Sequence, residues 1–353
     1  MTARERLLAC LRAQRVDRPP VICPGGMMTM ATTSAMRAGG ACWPAAHSDA
    51  RAMADLVVAT QQETGLECLA VPFCMTVEAE ALGCRVDLGT DTILPHVAAE
   101  AIAGWSDLEH LPTFDPDSCG RAPVVLDALR MLAGLHTPYP VIGAVVGPVS
   151  LAAMVMDTGV FLRLTRRAPE AAQALVDRMA RVTIDFALAQ RAAGADCVMI
   201  AEPSATGELL GGKHFARLAL PALSRALGVL RRQATPVILH ICGDVRPILA
   251  ELRQLASSLS APLALSVDSI VSGRILRAEL AQCAGAPAAV RVGNVDAFLL
   301  QRGPLSAIRR AARIAAREFD VVSPACGLVP VTPARNLREL VETVQHGQDS
   351  PQD

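Results

Sequence analysis

One short run, Val237-Ile-Leu-His-Ile-Cys-Gly-Asp244, places an imidazole and a thiol two residues apart at the end of an apolar stretch. In a β-strand, residues i and i+2 point to the same face, so His240 and Cys242 project together. Cys326 closes a later apolar run and is able to reach the same place. One imidazole and two thiolates form a zinc-binding set, and three protein ligands leave a fourth coordination position open. The alternative is a core histidine with two inert cysteines, because the His-x-Cys pattern alone is weak.

The composition of this set indicates which reaction it suits. Two thiolates offset the charge of a divalent metal, so the metal polarises water poorly but binds an added thiolate well. A thiol bound there loses its proton and keeps a nucleophilic sulfur. The ligand set therefore favours alkyl transfer to sulfur over hydrolysis, and it does not exclude hydrolysis.

The elements that position these residues alternate between short β-branched runs and longer helical segments. This alternation is typical of parallel strands connected by helices. The eight predicted strands are Pro20–Cys23, Cys68–Pro72, Val141–Val146, Asp196–Ala201, Pro236–Ile241, Leu263–Val267, Val290–Gly293 and Val321–Pro324. Eight strands with helical crossovers predict a (β/α)8 TIM barrel, in which chemistry occupies the carboxyl ends of the strands. A doubly wound open sheet is the rival fold, although no GxGxxG follows the first strand.

Two parts of the chain depart from the plain repeat. Residues 74–136, between the second and third predicted strands, are longer than one helix needs, and we interpret them as an insertion, or lid, over the barrel mouth. Within this segment, Gly83–Gly89 and Thr92–Pro95 resemble a small antiparallel excursion. We expect a single catalytic domain over residues 1–344, an amphipathic helix ending at Pro19 and a polar tail over 345–353.

Charge, hydropathy and cysteine usage narrow the class of protein. The 353 residues carry a formal net charge of -1, which argues against a nucleic-acid or anionic-membrane partner. No run of 18 apolar residues and no signal peptide is visible. Eleven cysteines without disulfide-framework spacing predict a reducing, cytoplasmic location, with most thiols buried as small hydrophobes.

Several longer motifs, taken together, resemble a known family. They are ERLLACLRAQRVDRPPVICPGGMM, VPFCMTVEAEALGCRVDLG, GPVSLAAMVM, HICGD, SVDS, GNVD and SPACGLVPVTPARNLREL. Nearly the whole chain is similar to the uroporphyrinogen decarboxylase superfamily, and within it to the methylcobamide:coenzyme M methyltransferase branch. The resemblance implies that His240, Cys242 and Cys326 bind Zn²⁺ and that an acceptor thiol attacks the methyl group of a methyl-Co(III) corrinoid.

The same resemblance supplies further candidate residues near the mouth. It implies catalytic roles for Glu202 and Asp268, with Glu202 as a temporary zinc ligand or an acid/base group. One member of the pair Glu78/Glu80 is expected to point inward if that stretch is helical, with Glu78 as the candidate for substrate binding. Asn294, Met27 and Met28 complete the substrate-binding candidates, the methionines against the edge of a corrin ring. Core packing is an equally good interpretation of the methionines.

The donor and the acceptor leave alternatives open. The chain contains no Asp-x-His-x-x-Gly corrinoid-binding motif, so the corrinoid is expected to arrive on a separate protein or free. The acceptor is a small thiol such as coenzyme M, or tetrahydrofolate. A porphyrinogen decarboxylase is the rival enzyme, but it needs arginines in the loop after the first strand, which has none before Arg37. The third hypothesis is a non-catalytic partner or carrier of a corrinoid protein, in which the zinc is structural.

Overall fold

The computed structural model describes residues 1–26, 28–281 and 289–347, and a curled sheet of seven parallel strands lies at its centre. The strand order in this sheet is β1-β4-β5-β6-β7-β8-β9. The strands are β1 Leu69–Val71, β4 Val141–Val146, β5 Cys197–Ala201, β6 Val237–Ile241, β7 Ala264–Val267, β8 Val290–Val295 and β9 Val321–Pro324; a separate antiparallel pair consists of β2 Arg85–Asp87 and β3 His96–Ala99. Most strand residues are buried, as expected for a parallel sheet covered by helices.

Helices cover the outside of this sheet. They are α1 Ala3–Leu11, α2 Thr33–Gly39, α3 Ala50–Thr64, α4 Val77–Ala81, α5 Ala122–Gly134, α6 Pro148–Val155, α7 Thr158–Arg167, α8 Pro169–Ala192, α9 Gly211–His214, α10 Leu220–Arg232, α11 Leu249–Ser257, α12 Gly273–Leu280, α13 Ala297–Arg302, α14 Leu305–Glu318 and α15 Ala334–His346. Each long helix turns an apolar stripe toward the strands, and the resulting core is continuous. The chain therefore folds as the predicted TIM barrel.

The first predicted strand, Pro20–Cys23, is an extended segment and not a full strand. It makes one parallel bridge, between Val21 and Val322 of β9, and the Ile22 amide donates to the Val322 carbonyl at 2.9 Å. On its other side, the Glu67 amide donates to the Val21 carbonyl at 2.8 Å. Prolines on both sides of this segment lack the amide hydrogens that a longer ladder requires. The segment thus fills the eighth position of the barrel with only a few hydrogen bonds.

The N-terminal helix is shorter than predicted. It ends at Leu11, not at Pro19, because Ala13 takes a positive φ of 55° that a helix does not accommodate. The Gln14 amide returns to the Ala9 carbonyl at 2.9 Å, which closes the helix end. The following residues have no regular secondary structure, and the chain bends at Asp17 and Arg18 before Pro19.

The segment 74–136 contains α4, the β2–β3 hairpin, a 3₁₀ helix at Trp105–His110 and α5. The hairpin corresponds to the predicted antiparallel excursion, but its second strand begins at His96, directly after Pro95, and not at Thr92. Proline has no amide hydrogen, which disfavours it inside a paired strand. Helix α5 packs against α3, β1 and β4, in the position of an ordinary barrel crossover. A lid function for the remainder stays a prediction.

Within residues 1–26, 28–281 and 289–347, no single helix is long and apolar enough to cross a membrane. Helices α6 and α7 together have that length and composition, but they are bent by 113°.

Candidate metal centre

His240 and Cys242 lie together at the carboxyl end of β6. The imidazole is fully buried, and its Nε2 atom lies 3.1 Å from the Cys242 Sγ atom. Cys242 follows the last strand residue by one position, so the two side chains share a face as the strand alternation predicts. The pair therefore presents one nitrogen and one sulfur to the barrel mouth.

Cys326 reaches this pair from the end of β9. Its Sγ atom lies 3.5 Å from the Cys242 Sγ atom, and the three ligand atoms all lie within 4.8 Å of one another. Strands β6 and β9 are separated by β7 and β8, a distance of about 14 Å in a flat sheet. The curl of the barrel therefore brings the third ligand to the other two.

The two thiols influence each other's ionisation. The hydrogen bond between them lowers the pKa of Cys326 to about 5, with burial opposing the shift and His240 assisting it. The same hydrogen bond, followed by burial, raises the pKa of Cys242. One of the two sulfurs is therefore the natural thiolate, and a nearby cation would offset the charge of the second.

This donor set fits a zinc ion. Tetrahedral zinc with sulfur ligands at about 2.3 Å requires a sulfur–sulfur distance of about 3.8 Å and a nitrogen–sulfur distance of about 3.6 Å. The distances of 3.5 Å and 3.1 Å differ from these values by a few tenths of an ångström. Small side-chain rotations would therefore adapt the three atoms to one ion.

Strand β7 contributes a residue that the sequence reasoning missed. Ser266 is fully buried, and its Oγ atom lies 2.9 Å from the His240 Nδ1 atom. The motif Ser266-Val-Asp-Ser269 indicates only that Ser266 and Asp268, two residues apart, share one strand face. Ser266 contacts His240 only because β7 lies next to β6 in the sheet.

Asp268 supports the loop that follows β6, and Asn294 supports the loop after β7 that contains Asp268. The Asp268 Oδ2 atom accepts from the Gly243 amide at 3.3 Å, next to Cys242. Asn294 Nδ2 donates to the carbonyls of Asp268 and Val271 at 2.9 Å and 2.7 Å. These contacts hold the backbone around the candidate metal centre in place. The predicted catalytic role of Asp268 and the predicted substrate contact of Asn294 stay predictions.

Glu202 lies at the amino end of α6. Its fully buried carboxylate accepts hydrogen bonds from the Val149 amide at 2.9 Å, the Ser150 amide at 3.0 Å and the Ser150 hydroxyl at 2.7 Å. Burial raises the pKa of Glu202 to about 7, against the opposing effect of these hydrogen bonds. The contacts anchor a helix terminus; the predicted acid/base role of Glu202 stays a prediction.

Of the two acidic residues on α4, the structure buries Glu78. Its carboxylate accepts from the Val146 amide at 2.7 Å, and burial raises its pKa to about 7. Glu80 is partly exposed and forms a 2.7 Å ion pair with the buried Arg121. Glu78 thus joins α4 to the end of β4, and its predicted contact with substrate stays a prediction.

Of the two methionine candidates, the structure describes only Met28. Met28 is fully buried in the hydrophobic core, and its carbonyl accepts from the Cys23 thiol at 3.0 Å. This placement favours the packing interpretation. Met27 lies outside the described residues.

Comparisons with known proteins match the chain over its whole length. The family model described as Uroporphyrinogen decarboxylase (URO-D) matches residues 2–347. The methylcobamide:CoM methyltransferase MtbA of Methanosarcina acetivorans is 31% identical over 98% of each chain, and MtaA of Methanosarcina barkeri is 32% identical over 96% of each chain. A solved structure described as a methyltransferase from Methanosarcina mazei matches with a TM-score of 0.89 at 30% identity, covering 99% of both chains.

Proposed function

The chain belongs to the uroporphyrinogen decarboxylase (URO-D) family, and we propose that it is a zinc-dependent methyltransferase acting from a methyl-Co(III) corrinoid to a thiol. The observation that carries this proposal is the convergence of His240, Cys242 and Cys326 ligand atoms within 4.8 Å at the barrel mouth. The relatives named methylcobamide:CoM methyltransferases support the same activity over nearly the full chain.

The reaction balances as a transfer of a methyl cation equivalent. The acceptor thiol loses its proton, its sulfur forms a bond to the methyl carbon, and the cobalt–carbon bond breaks with both electrons staying on cobalt. The products are a methyl thioether and Co(I). A bound zinc ion would supply the Lewis acidity that makes the acceptor a thiolate near neutral pH while its sulfur stays nucleophilic.

The protein's own residues would bind the metal ion and orient its ligands. His240, Cys242 and Cys326 would hold the metal and leave one coordination position for the acceptor. Ser266, Asp268 and Asn294 fix the side chains and the loop around them. Two sulfur donors keep the centre electron-rich, which favours a nucleophilic sulfur over an activated water.

We propose that the corrinoid arrives on a separate protein, since the chain has no Asp-x-His-x-x-Gly motif. Coenzyme M is the proposed acceptor because the relatives' names specify it, and tetrahydrofolate is the alternative. The decarboxylase reading has less support, because the loop after Cys23 offers no arginine for a substrate with many carboxylates.

The test is a spectrophotometric assay of methylcobalamin demethylation, with zinc-loaded and chelator-treated enzyme, offering coenzyme M and tetrahydrofolate in parallel. We expect demethylation only with zinc and with one preferred acceptor. Cys242→Ala is expected to abolish both zinc retention and demethylation. Cys119→Ala, which alters a cysteine of similar partial exposure elsewhere in the chain, is the control and is expected to retain both.

Three results would overturn the proposal. Full activity of Cys242→Ala would remove the metal centre from the reaction. Consumption of a porphyrinogen by the metal-free enzyme would favour the decarboxylase reading, and a zinc ion held by four protein ligands would favour a structural role.

A further inference from the structure

We propose that Ser266 is a positioning residue that fixes the orientation and the tautomer of His240 for metal binding. This inference rests on the proposed function, since it assigns a role toward the same zinc ion. It adds a residue outside the ligand set, on a strand that contributes no ligand of its own.

The contact between the two side chains follows from strand register. His240 of β6 and Ser266 of β7 are paired Cα partners in the parallel ladder, so both side chains emerge at the same level on the same face. The Ser266 Oγ atom lies 2.9 Å from the His240 Nδ1 atom, within hydrogen-bond range. Both residues are fully buried, so water does not compete for this contact.

The hydrogen bond between Ser266 and His240 determines which imidazole nitrogen is available to bind the metal. The Nε2 atom faces Cys242 at 3.1 Å, so it is the nitrogen that would bind the metal. A neutral imidazole that binds through Nε2 must carry its hydrogen on Nδ1, and the Ser266 oxygen accepts that hydrogen. Partners of this kind hold the ring in one orientation, and their loss typically weakens metal binding by about 10–100-fold.

A neighbouring serine provides a matched control. Ser323 on β9 is also fully buried, but its hydroxyl donates to the Pro324 carbonyl at 2.9 Å. Ser266→Ala and Ser323→Ala therefore remove the same atom from similar buried strand positions. Only the first removes a contact to His240.

The experiment measures zinc affinity by competition with a chromophoric chelator for wild type, Ser266→Ala and Ser323→Ala. Circular dichroism of each metal-free protein verifies that it is folded. We expect Ser266→Ala to bind one zinc ion per chain about 10-fold more weakly than wild type. Ser323→Ala should keep the wild-type affinity. Ser266→Thr, which retains a hydroxyl group, is expected to recover most of the lost affinity.

The outcomes separate this inference from the proposed function. If wild type binds zinc tightly and Ser266→Ala binds it equally well, the inference is wrong and the proposed function stands. An equal loss in Ser323→Ala would show a general effect of strand substitution and would also overturn the inference. Failure of the wild-type protein to bind zinc would overturn the proposed function itself.

Discussion

At the scale of single residues, burial acts to raise the pKa of Glu78, Glu202 and Cys326, and hydrogen-bond partners oppose this rise to different extents. Glu78 and Glu202 are fully buried, and this burial raises their pKa values to about 7. The thiol of Cys326 is also largely buried, yet its pKa is lowered to about 5, mainly by the hydrogen bond with Cys242 and further by His240. The partner atoms, more than burial alone, therefore determine which group carries charge at neutral pH.

Glu78 gives a prediction about pH. Its folded-state pKa of about 7 exceeds the ordinary value of 4.5, so between these pH values the native protein binds a proton that the unfolded chain has lost. Stability therefore decreases as the pH rises from 4.5 to 7, by at most about 3 kcal/mol for this group. Glu78→Gln should remove this contribution. Urea unfolding at several pH values measures it.

The control for this experiment is Glu109→Gln, at an exposed glutamate, which should leave the pH profile of the wild type. A Glu78→Gln protein whose unfolding free energy decreases between pH 4.5 and 7 as steeply as that of the wild type would contradict the prediction.

The three candidate ligand residues were predictable from the sequence, but the contacts that support them were not. Strand alternation alone places His240 beside Cys242. The contact with Ser266 depends on the register between β6 and β7, which no local pattern encodes. The same limit applies to Glu202, whose carboxylate reaches the start of α6 from the end of another strand.

At the scale of elements, the extended segment Pro20–Cys23 makes few backbone hydrogen bonds and is held in place partly by side-chain hydrogen bonds. The Glu67 carboxylate accepts from the Val21 amide at 2.9 Å and from Arg18 at 2.8 Å. A second guanidinium, that of Arg6, lies 3.5 Å from the same carboxylate. Glu67 thus joins the segment to the start of β1 and partly replaces a ladder of backbone hydrogen bonds.

Glu67→Gln should therefore destabilise the barrel. The substitution leaves a nearly buried Arg18 without its charge partner, at a cost of about 2–3 kcal/mol. Chemical denaturation followed by circular dichroism measures the loss. Asp55→Asn, which breaks the exposed Arg51–Asp55 ion pair, is the control and should cost at most about 1 kcal/mol. Equal effects of the two substitutions would contradict a special role for Glu67.

Sequence patterns predicted the buried strands better than the N-terminal elements. Apolar runs bounded by proline and glycine identified β4 to β9 within a residue or two, because buried parallel strands are nearly continuous in apolar residues. The first segment looked equally apolar, yet its flanking prolines prevent an extended ladder. The end of α1 was also missed, since the backbone conformation of Ala13 carries no sequence mark.

At the scale of the whole molecule, the barrel makes one site from ligands 84 residues apart in sequence. A metal ion bound across Cys242 and Cys326 would connect β6 to the chain after β9, on opposite sides of two intervening strands. Such a link would exist only in the folded chain, so the proposed metal binding would be coupled to folding.

Zinc should accordingly raise the thermal stability of the protein. A ligand that binds only the native state, at about 100 times its Kd, adds about 2.7 kcal/mol to the unfolding free energy. Differential scanning calorimetry with and without zinc measures the shift in Tm. Cys326→Ala should lose this shift, while Cys119→Ala should keep it. A zinc-dependent Tm in Cys326→Ala as large as that in the wild type would mean that the ion binds elsewhere.

The central claim, a single zinc ion with two cysteine sulfurs and a place for a third, is tested most directly by X-ray absorption at the zinc edge. The resting protein should show two sulfur scatterers at about 2.3 Å together with nitrogen or oxygen. Addition of coenzyme M should raise the number of sulfur scatterers to three. A sulfur count that does not change on adding the thiol would contradict the account.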